Sequence, residues 1–260
     1  MADVVMVARD GDVARVTLNK PEKRNAFDPE MIATVRTAFE GFARDATLRA
    51  VVIAGAGPMF CGGAEVGYMQ ASLAMTSEQN LEDSMKLAGM LHAVNGCPVP
   101  VIARVHGAAL GGGAGILAAC DRVIAADDTM FGFTEVKLGL VPAVISPFVL
   151  AKIGETNARA LFTTGERFDA ARALRIGLVH DVGPIGQLDA AVQTVVNEVL
   201  GGGPAATRLA KEIALNVPRL APDQVGPWTA RRLANQRTSE EGQEGLRAFL
   251  EKRQPAWRKP

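Results

Sequence analysis

Glu135 sits in the segment Phe131-Gly132-Phe133-Thr134-Glu135, followed by Leu138-Gly139. An apolar surround of Phe131, Phe133 and Leu138 disfavours the ionised carboxylate and raises its pKa toward neutrality, which suits a group that alternates between base and acid. The competing reading is an ordinary exposed loop carboxylate. Two glycine clusters precede this residue. Residues 55–64 hold four glycines and Pro58, and residues 107–115 read GAALGGGAG. Without a Cβ in the way, the backbone N–H groups of such loops approach a ligand closely, and a helix that starts there adds its positive dipole end, so two loops together can grip an anion or a developing oxyanion. Gly113, Gly115 and Ala118 also fit a GxGxxA pattern, with Glu135 about where a ribose-binding acid falls, so a dinucleotide site is a second reading. A third is simple close packing of a helix on a strand.

Other residue types that do chemistry are scattered. His92, His106 and His180 lack metal-ligand spacing and read as structural or surface histidines. Cys61, Cys97 and Cys120 are odd in number with no CxxC pair, and read as reduced, mostly buried thiols. Met69, Met75, Met85 and Met90 cluster after the first glycine loop, where thioethers line an apolar pocket or, more simply, pack a helix.

The elements that must hold these residues follow from periodicity. Residues 4–8 and 13–18 are β-branched runs around Asp10-Gly11, a dipeptide suited to a tight hairpin. Asp28 and Pro29 cap and start a helix carrying Ile32, Val35, Phe39 and Phe42 on one face. Residues 49–54 and 99–105 are buried strands, each running into one of the glycine loops, with a helix over residues 81–94 between them. A strand over 122–126 and a short extended piece at Phe131 precede Glu135, and the remainder is mostly helical. Asp169 caps a helix ending at Ile176 with Gly177 after it, and residues 178–182 return as a strand. Gly201-Gly202-Gly203-Pro204 divides the chain into residues 1–200, a strand-and-helix core, and residues 201–260, a helical region in which Thr238 and Glu241 have capping-box spacing.

The 260 residues carry 28 basic and 28 acidic side chains. A zero net charge gives no reason to expect nucleic acid or an anionic membrane as partner. With no long apolar segment at the start or elsewhere, a soluble cytoplasmic protein is expected.

Five segments, in order, resemble one family. Phe60-Cys61-Gly62-Gly63-Ala64-Glu65-Val66 and Gly107 to Gly115 are similar to the two glycine-rich segments of the crotonase (enoyl-CoA hydratase/isomerase) superfamily. Arg24-Asn25-Ala26, the Phe131 to Gly139 segment and the tail SEEGQEGLRAFLEKRQPAW extend the resemblance over nearly the whole chain. It implies an α/β fold, a spiral of ββα units with a C-terminal helical trimerisation region, assembled as a homotrimer or a dimer of trimers.

The resemblance also implies the chemistry. Ala64 and Gly112 match the positions whose backbone N–H groups hold the thioester oxygen of an acyl-CoA. Arg24, Ala26, Cys61, Gly62 and Ala64 match positions beside coenzyme A, and Lys252 and Arg253 either meet the nucleotide phosphates of a neighbouring subunit or lie on a solvated helix face. Coenzyme A is part of the substrate, so no separate cofactor and no metal are expected. Hydratases of the family use two glutamates. Glu135 matches the second, whereas Gly115 stands at the first, so one member of the acid/base pair is absent. Residues 140–148, LVPAVISPF, replace the family's glycine-rich PGxGGT segment and resemble bacterial 3-methylglutaconyl-CoA hydratases. The reading is therefore an enoyl-CoA hydratase of fatty or branched acyl groups. The alternatives are a Δ3,Δ2-enoyl-CoA isomerase using Glu135 alone, or a catalytically reduced acyl-CoA-binding protein.

Overall fold

A computed structural model describes residues 3–258. The chain opens with β1 (Val5–Asp10) and β2 (Val13–Leu18), paired antiparallel around Gly11, whose φ of 55° closes the turn. Helix α1 (Pro29–Phe42) starts at Asp28, whose carboxylate accepts from Met31 N–H. Strand β3 (Ala50–Gly55) pairs parallel with β2. Then come α2 (Val66–Ser72), which the sequence pattern did not announce, and α3 (Ser77–Asn95). Helix α3 begins four residues before its expected start, because Thr76 and Gln79 form a reciprocal capping box. Strand β4 (Val101–Val105) and the short β5 (Ala108–Leu110) lead into α4 (Gly112–Ala119). Strands β6 (Arg122–Ala126) and β7 (Met130–Gly132) follow.

The second half holds α5 (Ser146–Thr164), kinked at Gly154, then β8 (Arg167–Asp169) and α6 (Ala170–Arg175). Asp169 caps α6 and Gly177 takes a φ of 82° beyond it, as expected. The strand expected over residues 178–182 is shorter and later: β9 is Asp181–Gly183, while Leu178 and Val179 are buried in the turn before it. Helices α7 (Leu188–Gly201), α8 (Pro204–Asn216), α9 (Pro222–Thr238) and α10 (Glu240–Leu250) complete the chain.

Strands β1-β2-β3-β4-β6-β9 form one six-stranded sheet in that order, and β5-β7-β8 a second sheet of three. After the first hairpin each new strand of the large sheet pairs parallel with the previous one on the same edge. The order never reverses, so there is no switch point at which a doubly wound dinucleotide fold opens its crevice, and the dinucleotide reading of Gly113 to Ala118 fails on topology. Both faces of the large sheet are covered. Ala14, Val16, Leu18, Val51 and Ile53 join the main core, while the alternate residues Val13, Ala50, Val52, Ile102 and Ile124 meet Leu188, Val192 and Val196 of α7. Burial on both sides is why β3 and β4 read as continuous apolar runs.

The helical region is tied to the core by polar contacts. Lys211 of α8 is buried and donates to Asp121 Oδ2 at 2.5 Å and to the Val99 carbonyl at 3.2 Å. Arg208 reaches the Asp45 and Leu48 carbonyls. The Thr238–Glu241 capping box does not form. Ser239 caps α10 through Gly242 N–H, and Thr238 Oγ1 donates back to the Ala234 carbonyl. Glu241 instead accepts from Ala205 and Ala206 N–H at 2.7 and 2.8 Å, capping α8 from a helix remote in sequence. A carboxylate at a helix N-terminus adds charge-assisted bonds to a favourable dipole. Glu241→Ala is therefore expected to cost about 1–2 kcal/mol of stability in a denaturation experiment. Among the described residues no helix is long and apolar enough to cross a membrane.

Candidate active site

The two glycine loops are brought together by the end of β2 and by Phe27. Asn25 is fully buried at a φ of 51°, a left-handed conformation that Asn tolerates, and its amide donates to the Ala56 and Met59 carbonyls at 2.7 and 2.9 Å. This clamps the first glycine loop against the segment after β2. Gly62 N–H donates to the Arg24 carbonyl, Phe27 N–H to the Gly63 carbonyl and Glu65 N–H to the Phe27 carbonyl, so residues 24–27 lie along residues 62–65. Arg24, Ala26, Cys61, Gly62 and Ala64 are thus gathered in one place.

The second loop joins through Cys61. Its N–H donates to the Ala108 carbonyl and its carbonyl accepts from Leu110 N–H. Helix α4 then docks so closely that a Cβ on Gly113 would lie 2.8 Å from the Cys61 Cβ. Only glycine permits that approach. A Cβ on Gly112 would meet the Phe27 ring at 3.1 Å. Phe27 therefore borders both halves of the site, its backbone bridged to Ala64 and its ring beneath Gly112. Its 2% exposure looks like plain core in a sequence, and periodicity offered no signal for this role. Neither the Ala64 nor the Gly112 N–H has a hydrogen-bond acceptor among the described residues. The Gly112 amide, first in α4, is a donor of the kind that helix N-termini offer to anions.

Glu135 is carried to this place by the small sheet. Strand β7 pairs with β5, matching Gly132 to Leu110, and Gly111 N–H donates to the Gly132 carbonyl at 2.8 Å. Three residues later the chain makes a single 3₁₀ turn, with Glu135 as its first residue. Glu135 Oε1 stands 3.5 Å from where a Cβ on Gly111 would be, and Oε2 is buried with no hydrogen-bond partner. Burial pushes the carboxyl above its usual range, opposed only by its own backbone N–H. Phe131 and Phe133 are fully buried beneath the segment, as the sequence implied, whereas Leu138 is 63% exposed and takes no part in that surround.

Gly115 lies one turn along α4, its N–H donating to the Gly111 carbonyl. A Cβ there would overlap Ile145 Cγ2 and come within 2.7 Å of Ile145 Cβ. Ile145 was not foreseen as a site residue, because its contact with Gly115 joins segments thirty positions apart. Lys252 is exposed at a φ of 54°, and no hydrogen bond or ion pair joins it to these loops. Arg253 beside it is engaged by Glu244 at 2.6 Å and by Glu251.

The remaining candidates fall elsewhere. The Cys61 and Cys120 thiols are pushed up to about 12 by burial and are unreactive. His180 Nδ1 accepts from Val123 N–H, and burial together with Lys152 and Arg122 lowers its pKa to about 4. Among the methionines, Met90 is core, Met85 is exposed, and Met69 and Met75 are half-buried. A cleft of about 1210 Å³ lies at the opposite end of α4, lined by Cys120, Lys152 and Lys211 among others. It borders none of the residues gathered around Glu135, and Lys152 there already donates to the Cys120 carbonyl.

A spiral of parallel strands that presents two unpaired amides and one partly buried carboxyl defines the class as an α/β protein with a candidate active site. The comparisons agree. The profile of the enoyl-CoA hydratase/isomerase family matches residues 8–260. An enoyl-CoA hydratase structure from Shewanella pealeana is 37% identical, with a TM-score of 0.93 over 98% of this chain and 96% of that one. The Pseudomonas aeruginosa protein AtuE is 33% identical, with a TM-score of 0.95 over 98% of this chain and 99% of that one. A Thermus thermophilus protein provisionally described as an enoyl-CoA hydratase is 36% identical over 94% of this chain and 97% of its own length. The chain belongs to the enoyl-CoA hydratase/isomerase family and is an enzyme of that family.

Proposed function

We propose that this enzyme adds water across the C2=C3 bond of an enoyl-CoA thioester, with Glu135 as its acid/base. The observation that carries the reading is the half-buried Glu135 carboxyl beside Gly111, whose Oε2 is buried without a partner, at the start of a helix whose first N–H is also unpaired. In this scheme Glu135 takes a proton from water as the water oxygen bonds to C3. The π electrons pass to the thioester oxygen, where the Ala64 and Gly112 N–H groups stabilise the enolate. Glu135 then returns its proton to C2 as the enolate collapses. Arg24, Ala26, Cys61 and Gly62 hold the coenzyme A portion, and Lys252 serves a neighbouring subunit in a homotrimer or a dimer of trimers. No cofactor beyond the coenzyme A of the substrate is required by this scheme. The resemblance of residues 140–148 supports a branched acyl group such as 3-methylglutaconyl.

A second reading has one observation in its favour. Gly115 carries no carboxylate at the position of the first family glutamate, and Ile145 fills the space beside it. One base suffices to carry a proton between the α and γ carbons of a 3-enoyl thioester, which is isomerisation. Incubation with crotonyl-CoA, a 3-enoyl-CoA and 3-methylglutaconyl-CoA separates the two readings. A product heavier by one water establishes the hydratase, and a shifted double bond at unchanged mass establishes the isomerase. Binding of all three without turnover would leave an acyl-CoA-binding protein.

A further inference from the structure

We infer that Phe27 is a positioning residue that sets the separation and direction of the Ala64 and Gly112 amides. The inference rests on the reading of those amides as donors to the thioester oxygen. A parallel bridge joins Phe27 to Ala64, in which Phe27 N–H donates to the Gly63 carbonyl at 2.7 Å and the Phe27 carbonyl accepts from Glu65 N–H at 2.9 Å. The Gly63 carbonyl and the Ala64 N–H belong to one planar trans peptide, in which the two point in opposite directions. Holding the carbonyl toward Phe27 therefore aims the Ala64 N–H away from it. The Gly112 amide is set by the same rule. Its peptide partner, the Gly111 carbonyl, accepts from Gly115 N–H at 3.0 Å, so the Gly112 N–H points out of the start of α4. The edge of the Phe27 ring lies against this residue, with Cδ2 and Cε2 at 3.1 and 3.4 Å from where a Cβ on Gly112 would be. One amide is thus referred to the backbone of Phe27 and the other to its ring.

Phe27 is itself fixed on both sides. Asn25, two residues before it, donates to the Ala56 and Met59 carbonyls, and Asp28, the next residue, caps α1 by accepting from Met31 N–H. The ring is 2% exposed and belongs to the main core. A phenylalanine side chain turns about two bonds only, and close packing removes both freedoms. The separation of the two amides therefore follows from the covalent span between the Phe27 backbone and its own ring edge. Two donors stabilise charge on one oxygen only where both reach the same point. A misplacement of about 1 Å is enough to cost about 10²-fold in rate.

The test compares Phe27→Ala and Phe27→Leu with the same two changes at Phe39, a buried ring of α1 in the same core, with folding checked by circular dichroism. Butyryl-CoA labelled with ¹³C at its carbonyl, which has no double bond to hydrate, is bound to each protein, and the carbonyl stretching frequency is read by difference infrared spectroscopy. Hydrogen bonds from the two amides lower that frequency in the parent. In Phe27→Ala the lowering is expected to be smaller, and kcat on the preferred enoyl-CoA to fall by about 10²-fold while KM changes far less. Phe27→Leu is expected to lie between, and it decides the matter if Phe27→Ala does not fold. The Phe39 variants are expected to melt earlier than the parent yet keep its frequency. A folded Phe27 variant with the parent's frequency, or an equal change in the Phe39 variants, would overturn the inference and leave Phe27 as core packing. A parent that binds butyryl-CoA without lowering the frequency would instead defeat the reading of Ala64 and Gly112 as donors, and the inference with it.

Discussion

Glu135→Gln is expected to lower turnover of the preferred enoyl-CoA by about 10²–10⁴-fold, the range that a positioned general acid/base contributes. Glutamine keeps the shape of the side chain and its place over Gly111 while removing its capacity to accept a proton, so substrate binding should change little. Steady-state rates, with binding measured separately by calorimetry, check this. The same substitution should stabilise the protein. The folded-state pKa of Glu135 is raised above its unfolded value, so between the two the folded state holds a proton that the unfolded state has released. Stability is therefore lost as pH rises through that window. Removing the charge relieves that penalty, so Tm at neutral pH is expected to rise. Below about pH 4, where both forms are neutral, the difference should vanish. Equal melting temperatures at neutral pH would mean that Glu135 is solvated.

Gly112→Pro is expected to reduce kcat by about 10²–10³-fold, and Gly112→Ala by far less. Both substitutions bring a Cβ to within 3.1 Å of the Phe27 ring, and proline adds the rest of its ring. Only proline removes the N–H. The first helical position is where proline is best tolerated, since that N–H has no helical partner to lose. Gly112→Ala thus controls for the crowding that a Cβ brings. If Gly112→Ala lost as much activity as Gly112→Pro, crowding of Phe27 would be the cause and the donor role would fall. A loss confined to KM would place the bond in substrate binding and not in stabilisation of the enolate.

Much of this architecture is legible in the residues because the physics is local. The hairpin at Gly11, the Asp28 and Asp169 caps and the strands over 50–55, 101–105 and 122–126 each depend on neighbours a few positions away. The failures share the opposite property. Glu241 has the spacing of a local capping box with Thr238, yet it accepts from Ala205 and Ala206, because packing of α10 beside α8 offers two unpaired amides closer at hand. Leu178 and Val179 are as apolar as a strand, but the turn after α6 buries them before the sheet is reached. Strand β8 is three residues long and exists only because β7 pairs with it.

The amino-acid sequence by itself determined the family, the two glycine loops, Glu135 on its aromatic bed and the replacement of the first family glutamate by Gly115. Each of these is carried by residue type and order, which need no coordinates to read. Tertiary structure alone decided that Phe27 borders both amides, that Glu135 Oε2 is left without a partner, and that Ile145 occupies the place over Gly115. Those facts arise where segments distant in the chain meet at van der Waals distance. A close-packed interior resolves differences of one methyl group, while a pattern of residue types along one chain carries no such scale.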